Sequence, residues 1–534
     1  MPLSADPDLL DRLRSDLGAS DFTVDGVEHL LGPVASAALH REQVLPARRA
    51  AASVAGRRAV VGAEVAASSK EPLATLVRAF LLGEHVARRR LDAALPGLGT
   101  GGAARLGLIE AAGHGADDPV RPLVDLRPYA ASDAGGEVQW WLASDPGESV
   151  TGGTLRPDHV LGAGGASLTL AQLTVRAPVG RVLDLGTGCG IQALHAARHA
   201  GHVVGTDISS RALAFARFNA ALAGADIELR EGSMLEPVQG ERFDLVVSNP
   251  PFVITPRATG ALPDYEYRDG GRSGDDLVRD LVRDVGTVLA PGGVVQMLGN
   301  WEHHAGEGWR DRLGAWLDIA ATSGRPLDAW VVQREVLDPA EYAETWLRDG
   351  GLAPERDREA WDRAYRAWLD DFEARGVDAV GMGFLTLRRP ATGRADGALP
   401  WRRLEERTDP LHMPLGATIA ATLAAHDWLA AHDDDALRDA RLAVAPDVSD
   451  ERSYRPGAAD PSVVVLRQGG GFGRGVHASS ELAALVGACD GELSVGQIVA
   501  ALGTLTGQGE GALAEQLLPA VRGLVLDGFL TTPR

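Results

Sequence analysis

The sequence predicts an α/β fold: a doubly wound, mostly parallel sheet in the middle of the chain, with an N-terminal mainly helical domain before it and a C-terminal α+β domain after it. Three observations predict this. Between Arg181 and Leu387, strand-like apolar runs alternate with amphipathic helix-length segments, the pattern of strands joined by crossover helices. A glycine turn, Asp184-Leu-Gly-Thr-Gly-Cys-Gly190, lies between the first of these strands and the first of these helices. The two flanks lack the alternation, and 534 residues exceed what one core usually supports, so roughly two to four domains are expected.

From the N-terminus, Leu9, Leu10 and Leu13 open a first helix, Val27, Leu30 and Leu31 belong to a second, and Leu73 to Leu91 reads as one longer helix. Leu123 to Ala130 and Val138 to Ala143 read as strands around the turn Ser132 to Gly136. Residues 1–148 are therefore expected to form a helical domain ending in a hairpin, and the run Arg88 to Arg90 is a solvated helix face. The Gly-rich stretch Thr151 to Gly165 precedes the alternating region. There the expected strands are Arg181 to Leu185, Val203 to Ile208, Ile227 to Arg230, Phe243 to Val247, Val294 to Leu298, Ala329 to Val332 and Gly381 to Leu387. The helices are Ile191 to His199, Ser210 to Leu222, Asp275 to Leu289 and Trp309 to Ala321. The doubly wound domain is bounded at 149–392, with a helical insertion at 339–376 that is too long for an ordinary connection and is expected on or beside the face where a ligand would sit. After the spacer Ala391 to Ala398, residues 400–534 carry helices at Ser480 to Gly487, Val495 to Leu502 and Leu513 to Gly528, a strand at Val463 to Arg467 and a Gly-rich hairpin at Gln468 to Gly475. This pattern resembles a winged helix. With 11 arginines against 18 acidic residues in 401–534, it suits protein docking or a structural role better than DNA reading.

Composition narrows the function. The net charge is −21, and all but one (Lys70) of the 52 basic residues are arginine; an acidic balance weakens any proposal of broad phosphate neutralisation. Cys189 and Cys489 give neither a disulfide framework nor a zinc spacing, so no metal is expected. No uninterrupted apolar window of membrane-spanning length occurs, and the charged first 20 residues resemble no signal peptide or anchor. A soluble, cytoplasmic protein is expected.

The glycine turn carries chemistry. Glycines allow a tight turn and close approach of a ligand, and the following helix offers its positive dipole end. A pyrophosphate site would read G-x-G-x-x-G, whereas this reads D-x-G-x-G-x-G. The next strand ends at Asp207, in Val-Val-Gly-Thr-Asp-Ile-Ser, 23 residues beyond Asp184; an acid there can accept hydrogen bonds from both hydroxyls of a ribose. Asp184 as a helix cap and Asp207 as a turn residue are the structural alternatives. Further on, Asp244-Leu-Val-Val-Ser-Asn-Pro-Pro-Phe252 closes a buried strand. Two prolines fix the backbone and remove donors, so the Asn249 side-chain oxygen and the Pro250 carbonyl can face one NH2 group, with Pro251 completing the turn and Phe252 stacking on a planar acceptor. The alternative is a plain strand-ending loop.

This order of motifs, from Gly162 to Arg389, resembles the amino-methyltransferase branch of the class I S-adenosylmethionine-dependent methyltransferases. The resemblance implies a Rossmann-like sheet and S-adenosyl-L-methionine as cofactor, held by Asp184, Gly186, Thr187, Gly188, Gly190, Asp207, Ile208, Ser233, Met234 and Asn249. Many relatives have Asp where this chain has Ser233. Within the branch, the loop Tyr265-Glu-Tyr-Arg-Asp-Gly-Gly-Arg-Ser-Gly-Asp-Asp-Leu277 looks like that of the HemK/PrmC-type glutamine N5-methyltransferases, whereas Phe252, where that group usually has Tyr, is shared with guanine-N2 ribosomal RNA enzymes. The expected acceptor is therefore a glutamine side chain of a protein or peptide, with an exocyclic amine of guanine or adenine in nucleic acid as the alternative, and a degenerate cofactor-binding scaffold as a third reading. Tyr265, Glu266 and Arg268 are candidate substrate contacts, and His159 to Ser167 is either a lid over the cofactor or a linker.

Overall fold

Eight strands form the central sheet of the computed structural model, which describes residues 3–41, 43–56, 70–151, 155–256, 271–391 and 399–532. They are β1 (Val179–Leu185), β2 (Ala200–Asp207), β3 (Glu228–Glu231), β4 (Phe243–Ser248), β5 (Leu289–His304), β6 (Asp328–Leu337), β7 (Val377–Arg388) and β8 (Arg402–Glu406). Their spatial order is β8-β6-β7-β5-β4-β1-β2-β3. The strands from β3 to β5 pair in parallel; β7 runs antiparallel to both β5 and β6, and β8 pairs parallel with β6. In β1, Val182, Leu183, Asp184 and Leu185 are all buried, as a strand covered on both faces requires.

The helices are α1 (Ile191–Ala196), α2 (Ser210–Ala223), α3 (Asp276–Asp284), α4 (Trp309–Thr322), α5 (Pro339–Asp349) and α6 (Arg358–Arg375). One core packs Leu183, Leu185, Val204, Val246 and Met297 of the sheet against Val278 and Leu281 of α3 and Leu313 and Trp316 of α4. A second joins Ile191 and Leu194 of α1 and Phe215, Phe218 and Leu222 of α2 to Leu10, Leu13, Phe80 and Leu126 from the N-terminal segment. Polar ties reinforce it: Trp141 Nε1 donates to the Phe22 carbonyl at 2.6 Å and Arg14 Nε to the Leu222 carbonyl at 2.9 Å. The N-terminal segment and the sheet thus fall in one compact unit, made of 1–131, 135–171 and 177–408.

Several elements depart from expectation for local reasons. The helix expected from Leu73 to Leu91 is broken: Glu71–Leu76 is α-helical and Val77–Leu81 a π-turn, while Val86–Ala87 pairs with Pro119 and Val120 before a new helix, Arg88–Ala94. Gly83, at φ +64°, makes the break, and any side chain there would overlap Val150. The Gly-rich stretch before β1 gives way to a helix, Gly165–Leu173. The sheet also takes in Arg402–Glu406, beyond the boundary expected at 392. Its Arg-Arg-Leu-Glu-Glu sequence hides a strand, because at a sheet edge charged side chains are tolerated; Trp330 Nε1 donates to Glu405 Oε1 at 2.7 Å.

The second unit comprises 132–134, 172–176 and 409–534. Helices Ser480–Gly487, Val495–Thr506 and Glu510–Leu526 enclose Leu485, Val495, Leu513 and Val521, and Val463–Gln468 is the middle strand of an antiparallel sheet with Val448–Ser453 and Gly475–His477. Helix Gly416–Ala431 was not expected. Among the described residues no helix is long and apolar enough to cross a membrane.

Candidate active site

Sheet register brings the two motifs together. Leu185, the last residue of β1, pairs with Thr206 of β2 on one side and Ser248 of β4 on the other, and Ser248 Oγ donates to the Leu185 carbonyl at 2.8 Å. Gly186, Asp207 and Asn249 therefore leave the sheet at one level. The order of strands reverses between β1 and β4, and the carboxyl ends of parallel strands at such a reversal form the crevice where ligands bind in open α/β sheets.

The glycine turn is held from within. Gly186, Gly188 and Gly190 have φ of +72°, +53° and +88°, a backbone region that side chains disfavour. Gly186 N–H and Thr187 N–H donate to the Thr206 carbonyl at 2.9 and 2.8 Å, and Gly190 N–H to the Thr187 carbonyl at 2.8 Å. Gly188 N–H donates to Asp207 Oδ2 at 2.9 Å. With these donors engaged, the N–H groups of Gly186, Thr187, Gly188 and Gly190 are not left to form a nest for a phosphate. Yet a Cβ at Gly186 or Gly188 would meet nothing within 4 Å, so open space lies beside the backbone.

The two acids have different surroundings. Asp184 is buried, and its Oδ2 accepts from Thr187 Oγ1 at 2.6 Å and from Ala193 N–H, in the first turn of α1, at 2.9 Å. It organises the glycine turn and caps the helix, rather than lining open space. Asp207 is half-buried; its Oδ1 accepts from Ser209 N–H at 2.9 Å and its Oδ2 from Gly188 N–H at 2.9 Å. Ile208 is 62% exposed despite its apolar side chain, and Ser233 and Met234 are half-buried, Met234 at φ +48°. Asp207 and the apolar Ile208 and Met234 surfaces suit a nucleoside with ribose hydroxyls and a flat base, so the residues fit S-adenosylmethionine.

Asn249 Oδ1 is buried and has no hydrogen-bond partner among the described residues. Such an orphan costs about 1–3 kcal/mol of lost hydration and calls for an explanation. Phe252 packs at the edge of two cores, with Trp346 of α5 edge-on at 6.5 Å between ring centroids. The insertion thus reaches the Asn-Pro-Pro-Phe turn, with Val253 and Ile254 buried among Tyr342, Trp361, Trp368 and Phe372.

Of the loop from Tyr265 to Leu277, residues 265–270, with Tyr265, Glu266 and Arg268, lie outside the described residues. Its far end is anchored: Asp275 accepts from Glu302 N–H at 2.9 Å and from Arg312 at 2.7 Å. Burial pushes the Glu302 carboxyl above its usual range, with the Asp275 carboxylate adding to the effect and Arg375 opposing it. In the segment from His159 to Ser167, Val160 N–H donates to Asp145 Oδ2 at 3.0 Å while Asp145 N–H donates to the Val160 carbonyl at 3.0 Å. Gln192 of α1 donates to the Ser167 carbonyl at 2.7 Å. Both ends of this segment are therefore tied down.

Two residues that sequence reading missed organise the site. Asn219 of α2 is fully buried: its Oδ1 accepts from Ala143 N–H at 2.8 Å, and its Nδ2 donates to the carbonyls of Ala143 and Cys189 at 2.9 and 2.8 Å. The other is Tyr342. A polar residue inside an apolar helix face was the available signal for Asn219. Among the described residues no cluster of three or more His, Cys, Asp or Glu side chains could hold a metal ion. A cavity of about 330 Å³ lined by Trp140, Leu194, His202 and Asp226 lies at the opposite end of β2 from Asp207, away from the motifs.

Known proteins resemble the middle of the chain. Residues 163–264 match the family described as methyltransferase small domain, while 19–121 and 420–532 match two domains of unknown function (DUF7059 and DUF7782). The chain is 44% identical over 124 residues to a release factor glutamine methyltransferase of Deinococcus radiodurans, covering 22% of this chain and 44% of that protein. It is 34% identical over 183 residues to a ribosomal protein uL3 glutamine methyltransferase of Bradyrhizobium diazoefficiens, covering 32% and 56%. With a ribosomal RNA small subunit methyltransferase C of Alcanivorax borkumensis it shares 32% over 123 residues, covering 23% and 33%. The chain spans about half the length, or less, of these relatives. The matched residues, 163–264, carry the glycine turn, Asp207 and the Asn-Pro-Pro-Phe turn, so the likeness to the methyltransferase small domain falls on the site.

Proposed function

We propose that the chain is an S-adenosylmethionine-dependent N-methyltransferase whose acceptor is the side-chain amide of a glutamine in a protein or peptide, working in the cytoplasm. The observation that carries the acceptor assignment is the buried, unpartnered Asn249 Oδ1 at the carboxyl end of β4, level with the glycine turn. The glutamine methyltransferases among the relatives support the choice of an amide over a nucleobase.

When bound, S-adenosylmethionine supplies a methyl group on a sulfonium, an electrophile that needs no further activation. Asp207 would hold its ribose, Ile208 and Met234 its base, and the open side of Gly186 and Gly188 its remaining part. Asp184 acts one step back, keeping the turn in shape. The chain's task at the acceptor is to make a poor nucleophile adequate, since an amide lone pair is delocalised into its carbonyl. Asn249 Oδ1 accepts one N–H of the acceptor and the Pro250 carbonyl the other, favouring a more pyramidal nitrogen as it becomes cationic. Pro251 fixes the turn, and Phe252 stacks on the planar amide. No strong base is required, because a cationic amide nitrogen loses its proton readily to water. Holding the reactants in line supplies up to roughly 7–11 kcal/mol.

The test is incubation of the full chain with cell lysate and cofactor carrying a labelled methyl, followed by mass spectrometry of the labelled fraction. Label on glutamine of a protein is expected. Label confined to RNA refutes the acceptor assignment, and absence of both label and calorimetric cofactor binding refutes the enzyme.

A further inference from the structure

Besides the contact of Trp346 with Phe252, the helical insertion reaches the backbone just after the Asn-Pro-Pro-Phe turn through one hydroxyl. Tyr342 of α5 is fully buried, and its Oη accepts hydrogen bonds from Ile254 N–H at 3.0 Å and from Asn300 Nδ2 at 2.8 Å. Ile254 stands two residues beyond Phe252, and Asn300, also buried, belongs to β5, the strand beside β4. The hydroxyl therefore pins the chain leaving the turn to the neighbouring strand. The prolines at 250 and 251 fix their own φ but leave the backbone after Phe252 without that restraint. The bond at Ile254 closes this gap. The ring of Tyr342 is set in turn by Trp346, Trp368 and Phe372, whose centroids lie 6.0, 5.8 and 5.9 Å away.

We propose that Tyr342 is a positioning residue of the acceptor site: through Ile254 it holds the Asn249–Phe252 turn in the geometry that presents Asn249 Oδ1 and the Phe252 ring to the acceptor. The proposal rests on the reading of that turn as the acceptor site. It gives the insertion a task in turnover, beyond adding core. Misplacement of a reacting group by 1 Å can cost about 100-fold in rate, so a single hydroxyl on the far side of the turn is enough to matter.

The test uses the full chain, the variant Tyr342→Phe, and Leu347→Ala as a packing control, a buried residue of the same apolar cluster that is not among the rings setting Tyr342. Three quantities are read: hydrogen exchange of the Ile254 amide, the initial rate of labelled methyl transfer to soluble lysate protein, and cofactor Kd. For Tyr342→Phe, at least tenfold faster exchange at Ile254 and a 10- to 100-fold slower transfer are expected, with cofactor Kd within twofold of the parent. Leu347→Ala lowers the melting temperature and leaves the rate within threefold of the parent. Parental exchange at Ile254 in Tyr342→Phe overturns the proposal, as does a rate loss no larger than that of Leu347→Ala. Asn300→Ala adds a second check: combined with Tyr342→Phe it should slow transfer by less than the product of the single losses, and a fully multiplicative loss counts against a shared hydroxyl. If the parent transfers no methyl to protein, the proposed function fails, while exchange at Ile254 still decides whether Tyr342 fixes the turn.

Discussion

Replacing Asn249 by Ala should separate activity from stability in an unusual direction. Most buried polar residues satisfy partners, so their removal weakens the fold. Here Oδ1 is buried without a partner among the described residues, and desolvation of such a group costs about 1–3 kcal/mol. Deleting the amide removes that cost, against which stands only a small cavity. The melting temperature of Asn249→Ala should therefore equal or exceed the parental value. Transfer should suffer: an acceptor aimed at charge developing in the transition state is worth about 2.7–4 kcal/mol, which is 10²- to 10³-fold in turnover. Cofactor Kd should change little if Oδ1 serves the acceptor. The assays are labelled-methyl transfer under saturating cofactor, calorimetric titration of the cofactor and a thermal melt. Turnover within threefold of the parent would refute the assignment. So would a loss of turnover matched by a clear drop in melting temperature, since Oδ1 would then be serving the fold.

Asp207→Ala should raise cofactor Kd roughly 10- to 100-fold by removing charged acceptors worth about 1.5–3 kcal/mol; parental Kd by calorimetry would contradict its role. Gly190→Ala forces a side chain into φ +88° with its Cβ 3.2 Å from Ala216 Cα; it should lose at least about 1–2 kcal/mol of stability, checked by urea unfolding, and an unchanged midpoint speaks against it. His159 is buried, which holds its imidazole below the ordinary 6.5 although the Asp145 carboxylate pulls the other way. Its neutral form is thus favoured by folding, and the stability it lends is full above about pH 6.5 and lost as pH falls through the lowered value. His159→Gln should flatten the acid limb of the melting-temperature profile, and parallel profiles would show that another group titrates there.

The fold was legible where period and punctuation agreed. The alternation of strands and helices specified β1 to β7, because strands buried on both faces must be continuous apolar runs, and β1 is such a run. The glycine turn, Asp207 and Asn249 could be aligned from spacing alone, since one strand–helix–strand unit has a nearly fixed length. What composition could not reveal was pairing between distant segments. β8 was missed because its charged residues satisfy an edge position that only the finished sheet defines. Leu73 to Leu91 kept a helical period across Gly83, and the strand pairing at Val86 that ends it depends on Pro119 and Val120, more than 30 residues on. Asp184 was expected at the cofactor site, and the bonds its Oδ2 accepts from Thr187 and Ala193 are donors that no motif spells out. Tyr342 and Asn219 were invisible for the same reason, as each acts through backbone groups far away in sequence.

Asn219 has a consequence for how this chain can be taken apart. Its one amide grips the hairpin of the first 148 residues at Ala143 and, with the same NH2, the glycine turn at Cys189. The two are fastened to a single screw. Trimming the chain to residues 149–392 would strip this amide of its outer partners at Ala143 and uncover the apolar faces of α1 and α2. By the same linkage, whatever grasps the N-terminal segment at Ala143 also has hold of the glycine turn at Cys189.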